Sequence, residues 1–172
     1  MHPLHSFRYC PVCGSEHFVV NNFKSKKCER CGFVYYFNSS AATAIFITNR
    51  VGELLVARRA KDPAKGTFDL PGGFVDMYET AEEAIIREVE EETRLRISNP
   101  GYLFSLPNIY RYSGLDVHTI DLFYQYSVDT FSGVQAGDDA ESLFILERNK
   151  IQPEAFGLDS IRQAVQIWLD CK

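Results

Sequence analysis

The sequence predicts an α/β domain preceded by a small zinc ribbon, and three observations carry that expectation. Two helical periodicities, one at residues 80–93 and one near the C-terminus, stand among runs rich in β-branched and aromatic residues. Two CxxC knuckles, Cys10 with Cys13 and Cys28 with Cys31, precede those elements. The length of 172 residues suits one ordinary domain with a small appendage.

Residues 1–38 read as the ribbon. Each knuckle can aim two sulfurs at one ion, so the four thiolates fit a structural Zn²⁺ with no open position for water. Gly14 and Gly32 follow the knuckles where the turn needs a positive φ. Two disulfides or a redox pair are the alternative, and the absence of a secretion-type leader argues against them. A short hairpin through residues 18–23 and 33–37 is expected, with the metal carrying the stability that so small a core cannot. Asn38, Ser39 and Ser40 read as the linker to a domain at 41–172.

In that domain, 42–48 and 54–58 are strand-like and joined by an Asn49–Gly52 turn. Residues 61–76 read as loop until Leu70, and the cations Arg58, Arg59, Lys61 and Lys65 beside it could face phosphates. A helix is expected from Thr80, which has a capping-box partner at Glu83, to Thr93 or Arg94. Strands follow at 102–106 and 117–128, with Pro107–Gly114 as a turn-rich loop between them. Its Tyr110 and Arg111 suit stacking on a base and gripping a phosphate, or simply packing the loop. An acidic loop at 133–142 leads to a strand at 143–146. Ile161, Ala164, Val165, Trp168 and Leu169 recur at the spacing of a C-terminal helix that faces a core.

The composition, 45% hydrophobic and 24% charged with a net charge of −5, is that of a globular domain able to bury a core. That charge argues against general affinity for nucleic acid or anionic membrane, although Lys24, Lys26, Lys27 and Arg30 give the ribbon local cations. No stretch approaches the roughly 18 apolar residues of a membrane span. A cytoplasmic protein is expected, with a homodimer as an open possibility.

Residues 73–95 carry the chemistry. On a helical wheel Glu88 and Glu92 fall within the stripe of Ala81, Ala84, Ile85 and Val89, where a helix normally buries hydrocarbon. Desolvated carboxylates need a compensating cation, and clustered oxygen ligands suit Mg²⁺ or Mn²⁺. Gly73, Glu79, Arg87-Glu88-Val89 and Glu91-Glu92 stand at spacings that resemble the Nudix box, approached by Leu70-Pro71-Gly72. The ribbon followed by CGFVYYFN is similar to ribbons that precede this domain in NADH pyrophosphatase-like members.

This resemblance implies an α/β/α sandwich around a mixed sheet and Mg²⁺-dependent hydrolysis of a nucleoside diphosphate linked to another moiety. It implies metal ligands at Glu88, Glu92, Glu91 and the Gly72 carbonyl, with Arg87 braced on Glu79; Arg59, from the cations beside the loop, and Tyr110 with Arg111 are the candidate substrate contacts. The general base is either a box glutamate such as Glu91 or an acid of the later loop, where Glu141 is preferred over Asp138 and Asp139. Members of this architecture that cleave NADH carry a Ser-Gln-Pro-Trp-Pro-Phe-Pro stretch after the box. Ser105-Leu106-Pro107-Asn108 lacks its Trp and the following Phe, which lowers NADH and favours an ADP-ribose-like or dinucleotide substrate. The box departs from its pattern once, with Arg94 where a helix-ending glycine is usual. A binding module without catalysis and an RNA-associated ribbon protein are the competing readings, and the full set of box acids favours the enzyme.

Overall fold

A computed structural model describes residues 2–137 and 140–171, with the backbone alone for Ala140 and Glu141. The chain forms two compact units, Met1–Ser39 and Ser40–Lys172.

The first unit is a three-stranded antiparallel sheet of β1 (Phe18–Asn22), β2 (Ser25–Cys28) and β3 (Val34–Tyr36) in sequence order. The expected hairpin of 18–23 with 33–37 is therefore corrected, because β2 stands between those segments and pairs with both. Its lysines concealed it: Lys26 is buried, donates to the Phe7 carbonyl and lies 5.0 Å above the Phe18 ring. One of the four ribbon cations is thus part of the ribbon's own packing.

The second unit is layered α/β/α. Its sheet runs β6 (Phe68–Asp69), β5 (Leu54–Arg59), β4 (Ser40–Thr48), β8 (Leu115–Ser127) and β7 (Gly101–Tyr112), while β9 (Ala140–Leu146) lies along the other edge of β5. β4 and β8 are parallel from Ser40↔Thr119 to Thr48↔Ser127, and the remaining pairs are antiparallel. The unbroken apolar run of β4 follows from burial on both faces. Ala44 and Phe46 pack with Phe123, Ile161 and Val165 under helix α2 (Asp159–Asp170), whereas Ile45 and Ile47 pack with Ile85, Val89 and Tyr124 under helix α1 (Ala81–Thr93). Two further corrections concern loops. Residues 107–112 continue β7 to a Ser113–Gly114 turn, and the expected loop before Leu70 includes the two-residue β6.

The ends of α1 are set by chemistry that is visible in its residues. The Glu83 amide donates to Thr80 Oγ1 at 3.1 Å and the Thr80 amide donates to Glu83 Oε2 at 2.8 Å, which completes the capping box. At the other end Arg94 occupies the left-handed region, φ 61° and ψ 8°, its amide donating to the Glu90 carbonyl. Holding a residue with a Cβ there costs about 1 kcal/mol. Arg94→Gly is accordingly expected to raise the melting temperature of this unit by about 2–4 °C, read by circular dichroism. No gain would mean that the exposed arginine relieves the strain through another contact.

Candidate active site

The site is organised around Arg87, one turn before Glu91 on α1. Its Nε donates to Glu79 Oε1 at 2.8 Å and Nη2 donates to Glu79 Oε2 at 3.0 Å, a bidentate pair. Nη2 also donates to the Phe74 carbonyl, while Nη1 donates to Glu88 Oε1 at 2.8 Å and Glu91 Oε2 at 3.2 Å. All five N–H groups of the guanidinium are thereby used. Hydrogen bonding from Arg87 holds Glu79 below the usual carboxylate range, and Glu79 in turn raises Arg87.

Glu88 behaves oppositely. Its side chain is 16% exposed against 59% for Glu91, and burial pushes its carboxyl up despite Arg87. The wheel therefore described the helix well: Ala84, Ile85 and Val89 are buried, and the acidic stripe turns towards the segment before the helix. That segment is Gly72–Gly73. The Gly72 amide donates to Glu92 Oε2 at 3.0 Å, and a Cβ on Gly73 would collide with the Glu88 carboxylate. Gly72 has φ 150°, and a Cβ there would collide with the Thr43 carbonyl. Pairing of the Pro71 and Gly73 carbonyls with the Ile45 and Thr43 amides anchors both glycines to β4. Gly72, Glu88 and Glu92 are thus brought together, with Arg87, Glu79 and Glu91 adjoining.

Beside these acids lies a cleft of about 440 Å³. A β-bulge in the pairing of β5 with β9 falls between Arg58 and Arg59, and both arginines line the cleft. Arg59 ion-pairs with Asp69, donates to the Pro63 carbonyl at 2.7 Å and to Tyr110 Oη at 3.2 Å. Burial opposes its charge, but Asp69 and Tyr110 outweigh that and keep it protonated. Tyr110 meets Phe74 edge to face at 5.6 Å and also lines the cleft. Arg111, the next residue on β7, is exposed, pairs with Asp116 across the hairpin at 2.9 Å and is absent from the cleft lining. Its expected place beside Tyr110 is corrected by the alternation of side chains along a strand.

The acidic loop is anchored to the end of α1. The Gln135 and Gly137 amides donate to the Thr93 and Glu92 carbonyls at 3.1 and 2.8 Å, and a Cβ on Gly137 would collide with the Glu91 carbonyl. Asp138 and Asp139 lie outside the described residues, as does the Glu141 side chain, whose backbone lies in β9 between the paired residues Ala140 and Ser142.

Four further cleft acids were missed: Asp62 and Asp76, which are exposed, and Asp69 and Asp121, which are not. Asp69 is pushed up by burial, which Arg59 partly offsets and Asp121 reinforces. Asp121 is 6% exposed and accepts from Thr119 Oγ1 and Ser160 Oγ. A signal for Asp121 existed: it alternates with Phe123 on the inward side of β8, where an acid is out of place.

In the ribbon, Sγ of Cys10 lies 3.7 Å from Cys31 and Sγ of Cys13 lies 3.6 Å from Cys28, with all four sulfurs within 4.8 Å of one another. These are not bonding distances. They match the roughly 3.8 Å edge of a tetrahedron with metal–sulfur bonds of about 2.3 Å. A hydrogen bond from the Cys31 amide leads the effects that hold the Cys28 thiol down at about 6. The cluster could hold a metal ion.

Fold and site together define a Nudix pyrophosphohydrolase. The chain belongs to that family: residues 38–163 match the NUDIX domain. An ADP-ribose pyrophosphatase of Methanocaldococcus jannaschii is 32% identical over 123 residues, which is 71% of this chain and 70% of that protein. A NAD-capped RNA hydrolase of Chromobacterium violaceum is 35% identical over 102 residues, 59% of this chain but 38% of the relative, so the match spans well under half of that enzyme. In fold, a NUDIX hydrolase of Nitrosomonas europaea superimposes with a TM-score of 0.72 over 95% of this chain and 90% of that one, at 17% identity. Among the described residues no helix is long and apolar enough to cross a membrane.

The close approach of Gly73 to Glu88 generates a prediction. Gly73→Ala should leave the melting temperature nearly unchanged, because the collision is with a movable carboxylate, yet lower metal-dependent turnover by roughly 10²-fold. Unaltered turnover would show that the position of Glu88 is not critical.

Proposed function

We propose that the protein hydrolyses the diphosphate bond of a nucleoside diphosphate joined to a second sugar or nucleoside, with an ADP-ribose-like compound or a dinucleotide as substrate. The observation that carries this reading is the convergence of Glu88, Glu92 and the Gly72 backbone beside a cleft. The 32% identity to an enzyme named ADP-ribose pyrophosphatase supports the substrate class. The competing sensor reading would predict lost box acids, and Glu79, Glu88, Glu91 and Glu92 are all present around Arg87.

The residues fit a hard dication. One guanidinium among four carboxylates leaves an excess of negative charge, and every donor atom is oxygen. Glu88, Glu92 and the Gly72 carbonyl would hold Mg²⁺ or Mn²⁺, with Glu91 assisting. A bound dication of this kind neutralises diphosphate oxygens and acidifies a coordinated water. Arg87 keeps Glu88 and Glu91 in place and is itself braced by Glu79. Arg59 and Tyr110 would contact the substrate from the cleft wall. Glu141, at the start of β9, is our choice for the acid that takes the proton of the attacking water, with Glu91 as the box alternative. Water adds to one phosphorus and the bridging oxygen leaves on the other phosphate, so ADP-ribose would yield AMP and ribose 5-phosphate. The cysteine cluster would hold a structural Zn²⁺.

Mononucleotide release from a panel of nucleoside diphosphate derivatives tests the reaction. ADP-ribose should be cleaved with Mg²⁺ and not after chelation, and Glu88→Gln and Glu92→Gln should each lower turnover at least about 10²-fold. Release from no member of the panel would overturn the reading. Separately, Cys28→Ser should release zinc, measured by a chromogenic chelator, and expose residues 1–39 to proteolysis; a zinc-free, protease-resistant ribbon would refute the structural metal.

A further inference from the structure

Asp121 poses a problem that neither the fold nor the hydrolytic acids resolve. It is 6% exposed, at the centre of the sheet between Ala42 of β4 and Leu106 of β7, and it lines the cleft. Thr119 Oγ1 donates to its Oδ1 at 2.6 Å and Ser160 Oγ donates to its Oδ2 at 2.5 Å. Ser160 lies in the first turn of α2, a twelve-residue helix whose N-terminal dipole favours a carboxylate there. Yet a carboxylate has about four lone-pair sites, and two hydroxyl donors occupy half of them. Among the described residues no lysine or arginine pairs with it, whereas Asp69 is paired with Arg59.

A purely structural polar link from β8 to α2 would not require a charge, since a neutral amide could bond both hydroxyls. A buried, unpaired carboxylate is costly, and one facing a cleft has a use for hydrogen-bond donors brought by a ligand. A buried acceptor at a cleft wall, with lone pairs beyond those its two hydroxyl donors fill, describes a place for the donors of an organic ligand.

Charge decides which part of the ligand goes there. Asp69 and Asp121 are close enough that the Asp121 charge helps raise Asp69, and two such acids repel phosphates. The diphosphate belongs with the box acids and their cation, and the uncharged end of the substrate belongs with Asp121.

We propose that Asp121 is a specificity-determining residue which accepts hydrogen bonds from an uncharged donor of the substrate, the 2-hydroxyl of one of its riboses or the exocyclic amine of its base, and so orients the diphosphate over the box acids. This rests on the reading of the cleft as the site for a nucleoside diphosphate compound. The mode of discrimination is that of a built polar site, where an analogue without the donor leaves a buried acceptor unmet.

The test is calorimetric binding, with Ca²⁺ replacing Mg²⁺ to suppress turnover, of ADP-ribose and three analogues. IDP-ribose replaces the exocyclic amine with a carbonyl, while 2′-deoxy-ADP-ribose and ADP-2-deoxyribose each lack one sugar hydroxyl. The wild-type protein should bind ADP-ribose at least about tenfold more tightly than one of these, and which one identifies the donor. Asp121→Asn, checked for folding by its melting transition, should bind that pair alike. Equal wild-type affinity for all four compounds overturns the proposal without any variant, and so does full preference retained in Asp121→Asn. Parallel assays with Mg²⁺ separate the two claims: discriminating binding without cleavage would refute hydrolysis and leave the role of Asp121 standing, and binding of none of the four would refute both.

Discussion

The five hydrogen bonds of Arg87 are the constraint on which the rest of the site depends. Three glutamates from two segments converge on this one guanidinium, and without it their mutual repulsion would drive them apart. The bidentate pair with Glu79 fixes the fork, the fork fixes Glu88 and Glu91, and Glu88 stands against Gly73. Gly72–Gly73 is in turn bonded to β4 on one side and to Glu92 on the other. The sheet, the glycine segment and α1 therefore meet at one place, and glycine is the residue that lets the backbone come so near. A lysine at position 87 would retain the charge but could not reproduce the fork.

Much of this was legible in the residues because it depends on spacing along one helix. Glu88 and Glu92 could be assigned to the apolar stripe and Thr80 with Glu83 to the cap from local chemistry alone, while the left-handed end at Arg94 followed from the glycine usual at that place in the box. What was not legible depends on partners distant in sequence. Residues 107–112 contain a proline and turn-forming types, yet they pair with β8 over their whole length and become strand. That change separates Tyr110, on the cleft side, from Arg111, which pairs with Asp116. Similarly β2 reads as a charged loop until the burial of Lys26 by Phe7 and Phe18 is seen. Asp69 and Asp121 come together only because β6 and β8 flank the same cleft.

The cleft thus has two electrostatic ends. Near α1, carboxylates outnumber cations and call for a dication, whereas at the start of α2 a carboxylate is supported by two hydroxyls and a helix N-terminus. Between them Arg59 is tied to Asp69 and Tyr110, which makes it a fixed wall rather than a mobile phosphate clamp. A substrate with a charged middle and an uncharged, hydrogen-bonding end matches that order. On the proposed reading the box acids serve bond cleavage, and residues on β5, β7 and β8 select what is cleaved.

The central claim is that the carboxylates organised by Arg87 hold a divalent cation against the Gly72 backbone. Crystals soaked in Mn²⁺ and measured for anomalous scattering address it most directly. The account predicts a peak bounded by Glu88, Glu92 and the Gly72 carbonyl. Manganese bound elsewhere, with that position empty at saturating concentration, would contradict it.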